Sequence, residues 1–420
     1  MHLQHLHLEE FRVYRGLDVS LPPAGIRIVG PNGSGKSSVL EAVSLLSTAR
    51  SQRTGSDREL IRWGSGVDFG VPPYARVSAT ISAGNDGTEL AIELEAEGAG
   101  SEVDDRPALA EGAVRKRCLV DGRPVRAIDL VGRLRSVSFS PEDVAIISGP
   151  PAGRRRLIDI AISQLDRRYL RALSRYGRVM GQRNGLLKTF ARDGVSPASS
   201  QARSQLLFWD DELIDAGAII IAQRRELITQ LSTLAAGRYA ELAGGALFAV
   251  HYESNVSSSP ESGGSAGSRT TLPNNVDDLA DAIDGDDVVI RDTFRERLSQ
   301  RQADEFRRGV TLVGPHRDDL LLSLDGVNLA TYGSRGQQRL GILALKLAEA
   351  DLMVAVGGEP PVLLLDDVLS ELDPERGRLL IETIARFDAQ AIVTATDRAA
   401  LDVTVLAELP LLHAGTGTLR

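Results

Sequence analysis

The segment Gly30-Pro31-Asn32-Gly33-Ser34-Gly35-Lys36-Ser37 follows a short apolar run, Gly25-Ile26-Arg27-Ile28-Val29, and precedes apolar positions at helical spacing, Val39, Leu40, Val43 and Leu46. Glycines let backbone N–H groups face an anion without Cβ obstruction, and a helix start adds partial positive charge. Strand, loop and helix in that order form a phosphate cradle, and the segment fits G-x-x-x-x-G-K-[ST] at every fixed position. A cradle of this kind needs a carboxylate at the carboxyl edge of a parallel sheet. That carboxylate does not come until Pro361-Val362-Leu363-Leu364-Leu365-Asp366-Asp367, far down the chain. Without the upstream lysine, the two consecutive carboxylates would read as a helix cap. With it, Lys36 is expected to reach the β- and γ-phosphates of ATP, Ser37 and Asp366 to hold Mg²⁺, and Asp367 to polarise the attacking water. Gly30, Pro31, Asn32, Gly33, Ser34, Gly35 and Ser38 make up the rest of the binding loop.

Composition sets the frame around this split site. A chain of 420 residues with 42% apolar content is long enough for about two or three cores. Its formal net charge of -9 does not fit a surface that binds polyanions everywhere, so any nucleic-acid contact must be local. Cys118 is the single cysteine, which excludes an intrachain disulfide and a cysteine-built zinc site and points to a reducing cytoplasm. The start, Met1-His2-Leu3-Gln4-His5, has no signal-peptide core. Leu340 to Gly357, the longest apolar-rich piece, carries Lys346, Glu349 and Asp351 and reads as a buried helix, not a membrane span.

Between the two halves of the site the chain changes character twice. Short alternating segments from Tyr74 to Val144, such as Ala75 to Ile81 and Glu89 to Leu94, predict an antiparallel sheet with a polar loop near 97–105. Two helical segments follow, Arg154 to Arg192 and Gln201 to Leu242, divided by Asp193-Gly194-Val195-Ser196-Pro197. At 1.5 Å per residue they predict an antiparallel pair about 50 Å long. Residues 253–285 are rich in Ser, Gly, Pro, Asn and Asp and read as a flexible loop. A helix from Arg291 to Arg308 then leads into an expected strand, Val310-Thr311-Leu312-Val313, and back to the sheet. The expected organisation is an α/β head made of residues 1–150 and 290–420, with a helical lobe at 151–289.

Ser334-Arg335-Gly336-Gln337-Gln338 opens the long apolar helix just before the Asp366 strand. Alone it reads as a capped helix with free N–H groups. Its place before the carboxylate strand is similar to that of the signature in ABC-type ATPases. The likeness becomes specific in Phe11-Arg12-Val13-Tyr14, Arg53-Thr54, Asp57 to Ile61, Phe139-Ser140-Pro141-Glu142-Asp143, Arg154-Arg155-Arg156, Gln182-Arg183-Asn184, Gly314 to Leu320, Gly333 to Arg339, Asp366 to Asp373 and Thr394-Ala395-Thr396-Asp397. Through these the chain resembles the RecF family of bacterial recombination-repair ATPases, whose heads are SMC-like.

The resemblance implies an ABC-type P-loop ATPase head with mixed sheets, and an inserted lobe of long antiparallel helices. It implies a homodimer with ATP on double-stranded and gapped DNA, aiding RecA loading with RecR and RecO in DNA replication, repair and the SOS response, in the cytoplasm with the nucleoid. Ser334, Gly336 and Gln337 would then contact the nucleotide of the second protomer, and Ser370 to Asp373 would lie at the dimer interface. Asp367 stands where such heads usually carry glutamate, which implies slow turnover and the behaviour of a clamp switch.

The basic candidates for DNA are Arg50, Arg53 and Arg58, with Arg62 nearby, and Arg154, Arg155 and Arg156. Each cluster is either a phosphate contact or a solvated face. Phe139 to Asp143 is either the hand-over to the lobe or a turn around Pro141, and Gly314 to Asp319 suits a structured turn and is assigned no metal. A different class, the nucleotide-binding subunit of a transporter, remains as the alternative.

Overall fold

The strand before the glycine loop is buried at every residue, as a strand with parallel neighbours on both sides and both faces covered must be. It belongs to a computed structural model that describes residues 1–83, 86–96, 113–256, 276–401 and 406–420. In chain order the elements are β1 (His2–Phe11), β2 (Tyr14–Ser20), β3 (Gly25–Val29), α1 (Lys36–Thr48), β4 (Tyr74–Ala83), β5 (Asp86–Ala96), β6 (Val114–Val120), β7 (Arg123–Val125), α2 (Ala127–Leu130) and β8 (Ser136–Phe139). There follow α3 (Val144–Ser148), α4 (Pro151–Leu165), α5 (Arg167–Arg192), α6 (Ser200–Ala243), β9 (Phe248–Glu253), α7 (Val276–Arg308), β10 (Asp319–Leu324), β11 (Val327–Asn328), α8 (Leu329–Tyr332) and α9 (Arg335–Gly357). The last are β12 (Val362–Asp366), α10 (Pro374–Ala385), β13 (Ala391–Ala395), β14 (Leu411–Gly415) and β15 (Thr418–Leu419).

The chain packs as two units, Met1–Glu142 with Glu359–Arg420, and Asp143–Gly358. In the first unit one sheet is antiparallel, in the order β2-β1-β4-β5-β6-β7. Alternation builds it: Leu6 and Leu8 of β1 are buried, while His5 and His7 point outward to Asp18. The other sheet has the order β15-β14-β3-β13-β12-β8. Here β14, β3, β13, β12 and β8 run parallel and only β15 is antiparallel. Their apolar runs are buried, so the strand ends carry the polar groups to one edge.

The second unit is built on α6, 44 residues long, or about 65 Å at 1.5 Å per residue. Ser199 caps its start by accepting from Ala202 N–H at 3.3 Å. Gly217 sits where a Cβ would lie 2.5 Å from the Phe294 ring of α7 and 3.2 Å from Tyr176 of α5, so glycine sets how closely these helices pack. A buried ionic web joins them. Arg183 of α5 bonds Asp210, Glu305 and Thr311, and Arg224 of α6 bonds Asp159, Asp318 and the Pro315 carbonyl.

Several expectations are corrected by local physics. Arg154 to Arg192 is not one helix: it breaks at Asp166, whose extended backbone and carboxylate cap α5 by accepting from Arg168 N–H and Tyr169 N–H. The helix expected from Arg291 starts at Val276, inside the segment expected to be a loop. Val310 to Val313 is not a strand, because side chains take its backbone bonds. Thr311 N–H donates to Asn184 and Leu312 N–H to Glu305, while Arg317 donates to the Thr311 carbonyl. Residues 290–358 pack with the helical unit, since α9 lies against α6 and β10 pairs with β9, which also packs on α6, so the observed division differs from the expected 150/151 and 289/290. The polar loop at 97–105 and the Ser/Gly-rich part of the second loop, 257–275, lie outside the described residues.

Candidate functional site

The loop between β3 and α1 owes its shape to its glycines. Gly33 has φ 78 and Gly35 φ 105, a left-handed backbone that side chains rarely adopt. A Cβ on Gly35 would also stand 2.7 Å from the Tyr14 hydroxyl and from Val13. Tyr14 thus supports the loop from below, and burial pushes its phenol up to about 12. Lys36 begins α1 and turns its ammonium back to donate to the Gly30 carbonyl at 2.6 Å and the Pro31 carbonyl at 3.0 Å. Burial holds the Lys36 ammonium below its usual range, against the raising influence of Asp367 and then Asp366.

The distant carboxylate arrives beside this loop through sheet register. Asp366 pairs with Thr394 across β12 and β13, and the Ser37 hydroxyl donates to Asp366 Oδ1 at 2.9 Å. Thr394 Oγ1 donates to the same carboxylate oxygen at 2.9 Å and accepts from Asp367 N–H at 3.2 Å. Asp367 lies in the left-handed region at φ 52, strain for a residue with a Cβ and of the kind found at functional sites. Its Oδ1 and the Ser34 hydroxyl are buried with no hydrogen-bond partner among the described residues. Two hydroxyl-and-carboxylate ligands 2.9 Å apart, a glycine cradle and orphaned polar atoms beside a buried ammonium fit a magnesium–nucleotide pair.

Arg53, read from sequence as a basic surface candidate, reaches this centre: its guanidinium is 3.7 Å from Asp366 Oδ2. The segment after α1 is folded back by Glu41, which accepts from Arg12 at 2.8 Å and from Ser51 at 2.6 Å, and Ser51 in turn accepts from Arg53 N–H. β8 lies parallel to β12, with Phe139 opposite Leu365, so Ser140 emerges at the same edge as Asp366. Pro141 to Asp143 forms a short 3-10 turn, as one reading of that segment expects. The Ser140 hydroxyl donates to the Glu142 carboxylate and, with Arg53 adding to it, holds that carboxyl below the usual range.

The other sequence candidates are placed as follows. Arg50 is exposed, and its N–H and carbonyl are tied to Thr48 Oγ1. Arg58 is half-buried, and Arg62 pairs with Glu10 at 2.7 Å. Arg154 is withdrawn from the surface: buried, it grips Asp319 with two bonds and donates to the carbonyls of Ile146, Ile147 and Gly149. Arg155 donates to the Asp318 carbonyl, and Arg156 is exposed. In the second unit, Ser334 and Gln337 form a reciprocal capping box at the start of α9, at 3.2 and 2.8 Å, with Ser334, Gly336 and Gln337 all exposed. Gly314 to Asp319 is the hub of the ionic web: His316 meets the Tyr176 hydroxyl at 2.6 Å, and Asp318 binds Tyr252, Arg224 and Asn255 N–H.

Sequence reasoning gave Thr394 no role. A threonine in a buried apolar strand looks like β propensity, and only the register that sets it against Asp366 brings out its hydrogen bonds to Asp366 and Asp367.

A family model described as the RecF/RecN/SMC N terminal domain matches residues 2–407. The DNA replication and repair protein RecF of Chloroflexus aggregans is 42% identical over 398 residues, covering 94% of each chain. That of Thermomicrobium roseum is 38% identical over 421 residues, covering 100% of each. Two solved structures of the recombination mediator protein RecF in the RecFOR pathway, RecF-ATPrS and RecF-ATP, match with TM-scores of 0.79 and 0.76 at 25% identity. They cover 100% of this chain, which spans 97% and 98% of theirs. These relatives do not favour the transporter alternative.

Proposed function

Because the chain belongs to the RecF family of DNA replication and repair proteins, we propose that it is an ATPase that binds ATP with Mg²⁺ in the Gly30–Ser38 loop and dimerises around it on DNA at single-strand gaps. The observation that carries this reading is the 2.9 Å bond between Ser37 and Asp366, residues from opposite ends of the chain that meet as a metal-ligand pair. Mg²⁺, when bound, neutralises charge on the phosphates. The chain's own groups do the rest. Lys36 exchanges the Gly30 and Pro31 carbonyls for phosphate oxygens, the loop N–H groups hold the remainder, and Thr394 fixes Asp366 and Asp367 relative to each other. Asp367, the shorter carboxylate, orients water slowly, so the protein serves as a clamp switch, made by binding and released by hydrolysis.

Ser334, Gly336 and Gln337 complete the site of the second protomer, whose phosphate takes over the N–H groups at the exposed start of α9. Of the sequence candidates for DNA, Arg50 and Arg156 are exposed and Arg58 is half-buried. RecR and RecO are the partners that the RecFOR pathway of the solved relatives supplies, and the place of action is the nucleoid in the cytoplasm.

Light scattering with ATP, with ADP and without nucleotide tests the reading. A dimer is expected only for wild type with ATP, and Ser334→Arg, which puts a bulky side chain at the interface, stays monomeric. A dimer under all conditions removes the switch.

A further inference from the structure

The helix α5 contains no acidic residue in its 26 positions, in a chain whose net charge is -9. Its inward face is apolar, with Tyr169, Ala172, Tyr176, Val179, Leu187 and Phe190 buried. Two of its arginines have carboxylate partners within the unit, Arg183 in the interior with Glu305 and Asp210, and half-exposed Arg175 with Glu212. The outward face is different. Arg167, Arg171, Arg178, Lys188 and Arg192 are exposed, and at 100° per residue they fall within a sector of about 100°. Among the described residues the side chains of Arg167, Arg171, Arg178 and Lys188 enter no ion pair or hydrogen bond. Arg192 pairs with Asp193 just beyond the helix.

The same face has nothing to offer an apolar partner. None of the large exposed hydrophobic side chains lies on α5. Between the cations stand Ser174, Gly181 and Gly185, and a Cβ on either glycine would meet open space. A protein interface needs buried aromatic or aliphatic anchors. Single-stranded nucleic acid needs exposed rings on which bases stack. A row of exposed cations, four of the five without an ion pair among the described residues, over small residues suits a partner recognised by charge alone. The row from Arg167 to Arg192 is about 37 Å long at 1.5 Å per residue, close to the roughly 34–36 Å of one turn of duplex DNA.

We propose that the outward face of α5, from Arg167 to Arg192, is a binding surface for the phosphate backbone of duplex DNA. The cations neutralise phosphates without reading bases, and the low Gly181–Gly185 stretch lets the backbone approach between Arg178 and Lys188. This rests on the reading that the protein binds duplex DNA, and it adds the surface, which lies outside the arginine clusters picked from sequence.

The test compares wild type with Arg167→Gln/Arg171→Gln/Arg178→Gln, full-length and with ATP, for binding to a blunt duplex of random sequence between 50 and 200 mM salt. Gln has nearly the helix propensity of Arg, and these side chains hold nothing together, so the melting temperature and the DNA-free ATPase rate stay as in wild type. Each neutralised phosphate contributes about 0.9 to the slope of log K against log salt, so losing three lowers it by about 2.7. The ratio of wild-type to variant affinity then narrows by about 40-fold across that salt range. Equal slopes and affinities overturn the proposal while leaving duplex binding intact. So does a loss confined to single strands or to an acidic polypeptide used as competitor. A wild type that ignores duplex DNA even at 50 mM salt overturns the underlying reading instead.

Discussion

Thr394→Val removes one oxygen from the centre of the site and almost no volume. Thr394 is fully buried, and its hydroxyl bridges Asp366 Oδ1 at 2.9 Å and Asp367 N–H at 3.2 Å. A hydrogen bond to a charged group contributes about 1.5–3 kcal/mol. Two contacts survive the change: Ser37 still donates to Asp366, and Asp367 N–H still reaches the Thr394 carbonyl at 3.2 Å. The lower end of the range therefore applies, and at about 1.4 kcal/mol per decade the ATP turnover number falls roughly tenfold. Urea unfolding should show a loss of about 1 kcal/mol, since Asp366 keeps Ser37 and Arg53 as partners. Thr394→Ser separates the two possible origins. It keeps the hydroxyl and loses a methyl group, costing about 1 kcal/mol of stability but leaving turnover near wild type. Wild-type turnover in the valine variant, or a serine variant as slow as the valine one, refutes the assigned role.

Arg154→Met should cost about 3 kcal/mol, because it leaves Asp319 and three carbonyls without their shared donor. Its salt slope for duplex binding should match wild type, and a lower slope would return Arg154 to the DNA surface. Burial holds His316 down, from 6.5 to about 4, so on acidification through that window the unfolded chain takes up a proton that the folded one refuses. Stability is then fully present above the upper value and declines as pH falls toward the lower one. His316→Gln should flatten that part of the curve in urea titrations at several pH values, and an unchanged slope would place the acid sensitivity elsewhere.

What was legible in the sequence was what short-range chemistry dictates. The run into Gly30–Ser37 shows a strand, a glycine turn and an amphipathic helix to any reader of spacing, and Leu363 to Asp366 shows a buried strand with a polar end. What escaped depends on who stands opposite. Val310 to Val313 has the composition of a strand, yet Asn184 and Glu305 take its backbone donors. Arg154 has the look of a surface cation until Asp319, 165 residues further along the chain, folds against it. Asp166 breaks a helix that apolar periodicity runs straight through, since Tyr169 and Leu173 keep their spacing whether or not a cap intervenes. Asp-rich composition hid the first turns of α7 behind the look of a loop. For Val310 to Val313 and for Arg154 the missing information was a partner remote in sequence; for Asp166 it was a cap two and three residues away.

The strand order β14-β3-β13-β12-β8 has a consequence for how the protein comes to exist. Only β3 and β8 belong to the first stretch of the unit, Met1–Glu142, and they are not neighbours. The strand carrying the phosphate loop has both flanking strands in the last stretch, Glu359–Arg420. During synthesis the antiparallel sheet can close early and Asp143–Gly358 can collapse on its own, while β3 waits with both edges bare until nearly the whole chain has left the ribosome. An unpaired apolar strand held open that long is exposed to misassembly, and late long-range pairing is slow. The nucleotide site is therefore completed late, and a chain cut short anywhere before β13 has the loop but neither of the strands that flank β3.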